Sequence, residues 1–96
     1  MNEAADIKHR LIELKPILRE KFGVKKIGVF GSYARGNQLE SSDVDILVEL
    51  EEPLGWEFFD LKEFLEQKLD KPVDLVTRNA LKQQLRDEIL KQTIFI

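Results

Sequence analysis

The sequence predicts an α+β fold in which a small mixed β-sheet is flanked by helices. In three segments, apolar residues recur every three or four positions, as they do on one face of a helix. Three shorter runs are rich in Val, Ile and Leu, as in buried strands. The chain has 96 residues, of which 43% are hydrophobic and 34% charged, so we expect residues 1–96 to form a single globular domain.

The first helix is predicted over residues 3–22, with Asn2 as a candidate cap. Its apolar positions form one stripe at helical spacing, made of Ile7, Leu11, Leu14, Ile17 or Leu18, and Phe22. Pro16 lacks a backbone N–H and its ring crowds the preceding turn, so we expect a kink there or two shorter helices in sequence. Gly23 is expected to end the helix.

Two strands and a turn are predicted in the middle of the chain. Residues 26–30 include β-branched side chains and lead directly into Gly31 and Ser32, as a strand feeding a turn. Residues 33–36 are expected to form one helical turn, and the polar segment 37–42 a loop. Residues 43–50 are predicted to form the second strand.

The second half of the chain alternates helix and strand again. A helix is predicted over residues 56–69, followed by a strand at 73–76, and this spacing suits a parallel crossover. A final helix is predicted over residues 79–92. The apolar tail, residues 93–96, is expected to be either an edge strand or a contact surface.

Composition excludes several classes of function. The net charge of -3 lacks the basic footprint of a protein that binds long nucleic acids. The absence of cysteine excludes disulfides, thiolate metal sites and a cysteine nucleophile. The first residues lack the pattern of a signal peptide, and no apolar run approaches membrane-spanning length, so we expect a cytoplasmic protein without membrane contact.

Three aspartates are candidate catalytic residues and metal ligands. Side chains alternate between the faces of a strand, so Asp43 and Asp45 should point to the same side. A parallel crossover would bring Asp74 from the following strand to the same place. Such a cluster repels itself unless a cation neutralises it, and oxygen ligands suit Mg²⁺, which takes further ligands from substrate phosphates. This pattern predicts a nucleoside triphosphate as the substrate.

Gly31, Ser32 and Arg35 are the candidate nucleotide-binding residues. Gly31 allows close approach of the backbone, and Ser32 opens a turn whose N–H groups and hydroxyl could hold phosphate oxygens. Ser32 alone would more often be a helix cap, which uses the same N–H groups. Arg35 is the candidate for contact with phosphates and Arg78 is a second one, although arginine near a turn is usually solvated or ion-paired.

The spacing of these residues resembles that of a known superfamily. Gly31 and Ser32, ten further residues, then Asp43 and Asp45 and a later Asp74, are similar to the DNA polymerase β nucleotidyltransferase pattern, and the strings at 30–36 and 42–48 look most like prokaryotic minimal nucleotidyltransferases. The resemblance implies the polymerase β-like fold. It also implies that Asp43 and Asp45 bind two Mg²⁺ ions, that Asp74 completes the site and assists the attacking hydroxyl, and that Ser32 holds the triphosphate of ATP.

The resemblance also implies a partner. Small members of this family are commonly paired with a helical HEPN protein, which implies an antitoxin that transfers AMP from ATP to a tyrosine of its HEPN toxin, releasing pyrophosphate. We expect no second domain that could bind an acceptor, so the acceptor stays open. One alternative is a binding antitoxin that acts by occlusion without catalysis, and another is a small-molecule nucleotidyltransferase, which would need an acceptor pocket.

The remaining singular residues are interpreted as structural or as partner contacts. His9 has no partner at metal-ligand spacing and is expected to be exposed without a role. Among the aromatic residues, Phe58 or Phe59 is expected in the core and Trp56 on a partner surface. Tyr33 is expected to pack at the sheet edge and is not assigned to the site. Either a homo-oligomer or a hetero-oligomer is compatible with the sequence.

Overall fold

The polypeptide alternates helices and strands from end to end. The computed structural model describes residues 3–39 and 41–96, apart from the side chains of residues 3 and 4, so the predicted cap at Asn2 lies outside the described residues. A single turn of 3₁₀-helix, Arg78–Ala80, precedes the last helix. The other elements are α1 (Glu3–Phe22), β1 (Val24–Phe30), α2 (Gly31–Arg35), β2 (Val44–Leu50), α3 (Glu57–Leu69), β3 (Val73–Thr77), α4 (Gln83–Gln92) and β4 (Ile94–Phe95).

The four strands form one mixed sheet in the order β3-β2-β1-β4. β1 pairs antiparallel with both β2 and β4, whereas β2 and β3 are parallel. The connection through α3 is therefore the predicted parallel crossover, and the α+β architecture is confirmed. The tail is an edge strand, one of its two predicted states. No helix of the described chain is long and apolar enough to cross a bilayer.

The main core lies between one face of the sheet, α1 and α3. Val44, Ile46 and Val48 point from β2 into this core and are fully buried. Leu61 and Leu65 of α3 meet them and are fully buried as well. Burying one such side chain stabilises the fold by roughly 1.5–3 kcal/mol. This alternation places Asp45 on the opposite face of β2, as predicted.

The structure excludes one of the two outcomes expected at Pro16, namely a division of the first helix into two shorter helices. α1 is one helix that contains Pro16. Leu11 and Leu14 before Pro16 and Leu18 after it are buried on the same stripe, while Pro16 is exposed. Burial of this continuous stripe offsets a proline cost of about 3 kcal/mol. Gly23 ends the helix as predicted, with φ +69° and its N–H donating to the Arg19 carbonyl at 3.1 Å.

Several element boundaries differ from the predictions. β1 begins at Val24 rather than at 26, and β2 begins at Val44 rather than at 43. The last helix begins at Gln83 rather than at 79, because Leu81 has extended backbone dihedrals that interrupt the helical pattern. The Arg86 guanidinium donates to the Leu81 carbonyl at 3.0 Å and stabilises this entry to α4.

Candidate active site

Gly31 stands where β1 passes into α2, and its backbone lies against Asp45. Phe30, the last residue of β1, is the register partner of Asp45 on β2. Gly31 has φ +69°, and a Cβ atom placed there would lie 2.9 Å from the Asp45 Cγ and closer still to the Oδ2. Glycine is thus required both by the left-handed backbone and by the close approach. The predicted close approach at Gly31 is to a carboxylate of the protein itself.

The structure brings the three predicted aspartates together at the same end of β2 and β3. Asp45 and Asp74 are register partners across the parallel strands, and their side chains share a hydrogen bond. Asp43 lies one residue before β2 and is exposed, as is Asp74, whereas Asp45 is half-buried. Asp74 thus acts on Asp45 both through this hydrogen bond and through its charge.

The electrostatics of the site centre on Asp45. Burial raises the pKa of Asp45 above its ordinary value of 3.8, and the negative charges of Asp74 and then Asp43 raise it further. The Arg35 guanidinium acts in the opposite direction and lowers that pKa. Both neighbouring aspartates are thus close enough to repel the ionised Asp45 carboxylate, and Arg35 offsets only part of the rise in its pKa.

The donor chemistry fits Mg²⁺, although the carboxylates do not form a closed cage. In the described part of the chain, no three His, Cys, Asp or Glu side chains form a ready-made metal-ligand group. Mg²⁺ usually binds one or two carboxylates and completes its octahedron with waters and substrate phosphates, so a closed cage is not needed. The pKa of Asp45 is raised by burial and by repulsion from Asp74 and Asp43, and a cation beside Asp45 would oppose both effects.

Next to the carboxylates, two donors converge on one oxygen atom. The Gly31 N–H and the Arg35 Nη1 both donate to the Gln92 Oε1, each at 3.2 Å. Ser32 follows in the first turn of α2, where its carbonyl accepts the N–H of Asn37 at 3.1 Å. Gln92 was not among the predicted site residues. A contact that spans 61 residues leaves no signal in local spacing.

Arg78 does not join this group. Its Nη1 pairs with the Glu49 Oε1 at 3.3 Å on the exposed surface. Thr77, the residue before it, is three positions beyond Asp74 along β3, which corresponds to about 10 Å of strand. A cavity of about 710 Å³ beside Arg78 is lined by residues that include none of the three aspartates. Arg78 is therefore an ion-paired surface residue and not part of the site.

The aromatic residues divide as follows. Trp56 is 84% exposed, Phe59 is 61% exposed and packs against it with ring centroids 6.2 Å apart, and Phe58 packs on the core. Tyr33, expected at the sheet edge, is instead 2% exposed within the main core, and its hydroxyl has no hydrogen-bond partner among the described residues. The short helix α2 turns Tyr33 inward, which explains the difference. His9 is exposed, as predicted.

Known proteins are similar to this chain in both sequence and fold. Residues 11–96 match the nucleotidyltransferase domain family. A protein adenylyltransferase, MntA of Thermococcus cleftensis, is 46% identical over 92 residues, covering 95% of this chain and 93% of its own.

Two solved structures extend the comparison to the fold. One, assigned as a minimal nucleotidyltransferase, has a TM-score of 0.80 and 35% identity, and the match covers 98% of this chain and 95% of its own. A chain of a toxin–antitoxin complex crystallised with AMP-PNP has a TM-score of 0.76 and 30% identity, covering 99% of this chain and 72% of its own. The chain belongs to the nucleotidyltransferase domain family, as one of its minimal nucleotidyltransferases.

Proposed function

We propose that this protein is a Mg²⁺-dependent protein adenylyltransferase, and the antitoxin of a toxin–antitoxin pair. It transfers AMP from ATP to a tyrosine hydroxyl of a HEPN-family toxin in the cytoplasm. The observation that carries the proposal is the contact of Asp45 with both Asp74 and the Gly31 turn. The similarity to an adenylyltransferase and to a toxin–antitoxin chain crystallised with AMP-PNP supports the choice of ATP and of a protein acceptor.

In this proposal each polar group of the site has a separate task. Asp43 and Asp45 would hold Mg²⁺, which when bound would supply neutralisation of the charge on the triphosphate. The Gly31 N–H, the Ser32 turn and the Arg35 guanidinium orient the phosphates. Orientation aligns the α-phosphorus for in-line attack, in which the tyrosine oxygen forms a bond to phosphorus while pyrophosphate leaves.

Asp74 accepts the proton of the attacking tyrosine hydroxyl in this scheme. Its side chain is exposed, so an acceptor residue from another protein can reach it. It also shares a hydrogen bond with the Asp45 side chain. A carboxylate positioned at the tyrosine hydroxyl can act as the general base of this reaction.

The partner surface in this proposal includes Trp56 and Phe59. Both rings are exposed next to each other at the start of α3, and exposed aromatic residues are common anchors of protein interfaces. Glu57, Asp60 and Glu63 are exposed on the same helix and give this surface a negative rim. A partner with basic residues around an apolar patch fits such a surface.

The test is AMP transfer in a defined mixture. The protein is incubated with α-labelled ATP, Mg²⁺ and the HEPN protein encoded beside it, and the label is followed to a tyrosine by mass spectrometry. Asp43→Ala and Asp45→Ala should each reduce labelling at least about a hundredfold, since each removes a metal ligand. Asp87→Ala, which removes an exposed carboxylate from α4, is the matched control and should label normally.

One observation also supports a binding antitoxin that acts by occlusion, namely the exposed Trp56 and Phe59 pair. The same mixture separates the two functions. Full neutralisation of the toxin by the Asp43→Ala, Asp45→Ala double variant, without label on the partner, would replace the enzymatic proposal by occlusion. Loss of neutralisation together with loss of label supports the enzyme.

A further inference from the structure

Gln92 occupies an unusual position for an uncharged side chain. Its Oε1 accepts hydrogen bonds from the Gly31 N–H and from the Arg35 Nη1, each at 3.2 Å. Both of these groups are donors only, so the oxygen of the carboxamide, not its nitrogen, must face them. One oxygen atom thus receives a backbone N–H at the start of α2 and a guanidinium N–H, the same two kinds of donor that bind phosphate.

The backbone of Gln92 is held in place by its neighbours, whereas its side chain contains three rotatable bonds. Gln92 is the last residue of α4, and the hydroxyl of the next residue, Thr93, donates to the Ile89 carbonyl at 2.6 Å. β4 then pairs with β1 through Val29 and Ile94. The side chain can therefore leave Gly31 and Arg35 by rotamer changes alone, without unfolding of α4.

We infer that Gln92 is a placeholder for a phosphate oxygen: it fills the nucleotide site of the free protein, and ATP displaces it from Gly31 and Arg35. This inference rests on the proposed function and adds a competing group to the same site. In the free protein the contact keeps the partly buried Gly31 N–H hydrogen-bonded. Phosphate oxygens carry full charge, and hydrogen bonds to charged acceptors are roughly twice as strong as neutral ones, so the nucleotide prevails.

Removing the competing oxygen should tighten nucleotide binding. We expect Gln92→Ala to lower the Kd for AMP-PNP with Mg²⁺ by about three- to tenfold. This change in Kd corresponds to the ordinary net free energy of one hydrogen bond. Gln92→Asn shortens the side chain by one methylene, keeps an amide at the helix end, and should tighten binding in the same direction. Gln92→Glu should raise the Kd about tenfold or more, because its carboxylate pairs with Arg35 and repels the triphosphate.

Binding is measured by isothermal titration calorimetry on the intact protein, with Gln84→Ala on the exposed side of α4 as the control. Thermal unfolding verifies that each variant is folded, and Gln92→Asn serves if Gln92→Ala is not. In ¹H–¹⁵N spectra of the wild type, the Gln92 side-chain amide and the Gly31 backbone amide should both shift as AMP-PNP is added.

The possible results separate the inference from the proposed function. Tighter binding by Gln92→Ala or Gln92→Asn, with weaker binding by Gln92→Glu, supports the placeholder. If the wild type binds AMP-PNP and shortening Gln92 weakens binding or leaves it unchanged, Gln92 positions Arg35 or does nothing, and the inference is overturned while the proposed function stands. If the wild type binds no AMP-PNP and labels no partner, both fail.

Discussion

Replacing Gly31 by alanine should destabilise the fold more than replacing any other left-handed glycine of the described chain. Gly23 has the same φ of +69°, Gly36 has +78°, and a Cβ at either would meet no atom within 4 Å. At all three, alanine in a left-handed conformation costs about 1–2 kcal/mol. At Gly31 the methyl group also meets the Asp45 carboxylate, and overpacking of this kind costs about 1–3 kcal/mol more.

The comparison is made by urea denaturation of Gly31→Ala, Gly23→Ala and Gly36→Ala. Stiffening of the unfolded chain is the same in each variant and cancels. We expect a loss of about 2–5 kcal/mol at Gly31 against about 1–2 kcal/mol at the two controls. In melting experiments, each 1 kcal/mol corresponds to about 4–8 °C for a domain of this size.

A double-mutant cycle identifies the neighbour responsible. In an Asp45→Ala background the carboxylate is gone and only its Cβ, 3.3 Å from the added methyl group, remains. Most of the difference in cost between Gly31→Ala and Gly23→Ala should then disappear. Equal losses at Gly31 and Gly23 in the wild-type background, within about 0.5 kcal/mol, would refute the close approach of Gly31 to Asp45.

Three further predictions concern charge, core and surface. Burial and the charges of Asp74 and Asp43 raise the pKa of Asp45 in the folded protein above its ordinary value of 3.8, so the ionised form of Asp45 disfavours folding. In metal-free buffer, the wild-type protein should therefore become more stable, as far as this group is concerned, as the pH falls through the folded pKa towards 3.8. Asp45→Asn should be more stable than wild type at pH 7 and lack this gain, as melting curves between pH 4 and 7 would reveal; a wild-type advantage at pH 7 would contradict the electrostatic argument. Leu61→Ala should lose about 2–5 kcal/mol in urea denaturation, since the side chain is fully buried, and a loss below 1 kcal/mol would contradict its place in the core. Trp56→Ala should change stability by no more than about 0.5 kcal/mol, because the ring is 84% exposed, but should weaken pull-down of the proposed HEPN partner; unchanged capture would remove Trp56 from the proposed partner surface.

The fold and the acidic part of the site followed from local patterns. Alternation along β2 separates Asp45 from Val44 and Ile46, and the length of the β2–α3–β3 unit predicts the parallel pairing that makes Asp74 the neighbour of Asp45. These features depend on residues close in sequence or on a connection with a strong preferred geometry. They could therefore be predicted without coordinates.

Other features depend on tertiary packing that local patterns do not encode. Gln92 reaches Gly31 only because the tail docks as β4 on β1, a pairing between segments more than 60 residues apart. Tyr33 is buried because α2 directs it inward, which a five-residue segment cannot indicate by periodicity. Pro16 stays within α1 because the stripe on both sides of it is buried, a gain that local propensity does not count.

The charge of Asp74 also affects association between molecules. β3 is an outer strand of the sheet, and outer strands present unpaired backbone groups to other chains. Asp74 supplies the only charge within the segment Val73–Thr77, whose other residues are Val, Leu and Thr. A charge in an outer strand discourages edge-to-edge pairing, so an alanine at this position leaves all five residues of β3 uncharged. Loss of activity in Asp74→Ala is therefore interpretable only when sedimentation shows that the variant remains as dispersed as the wild type.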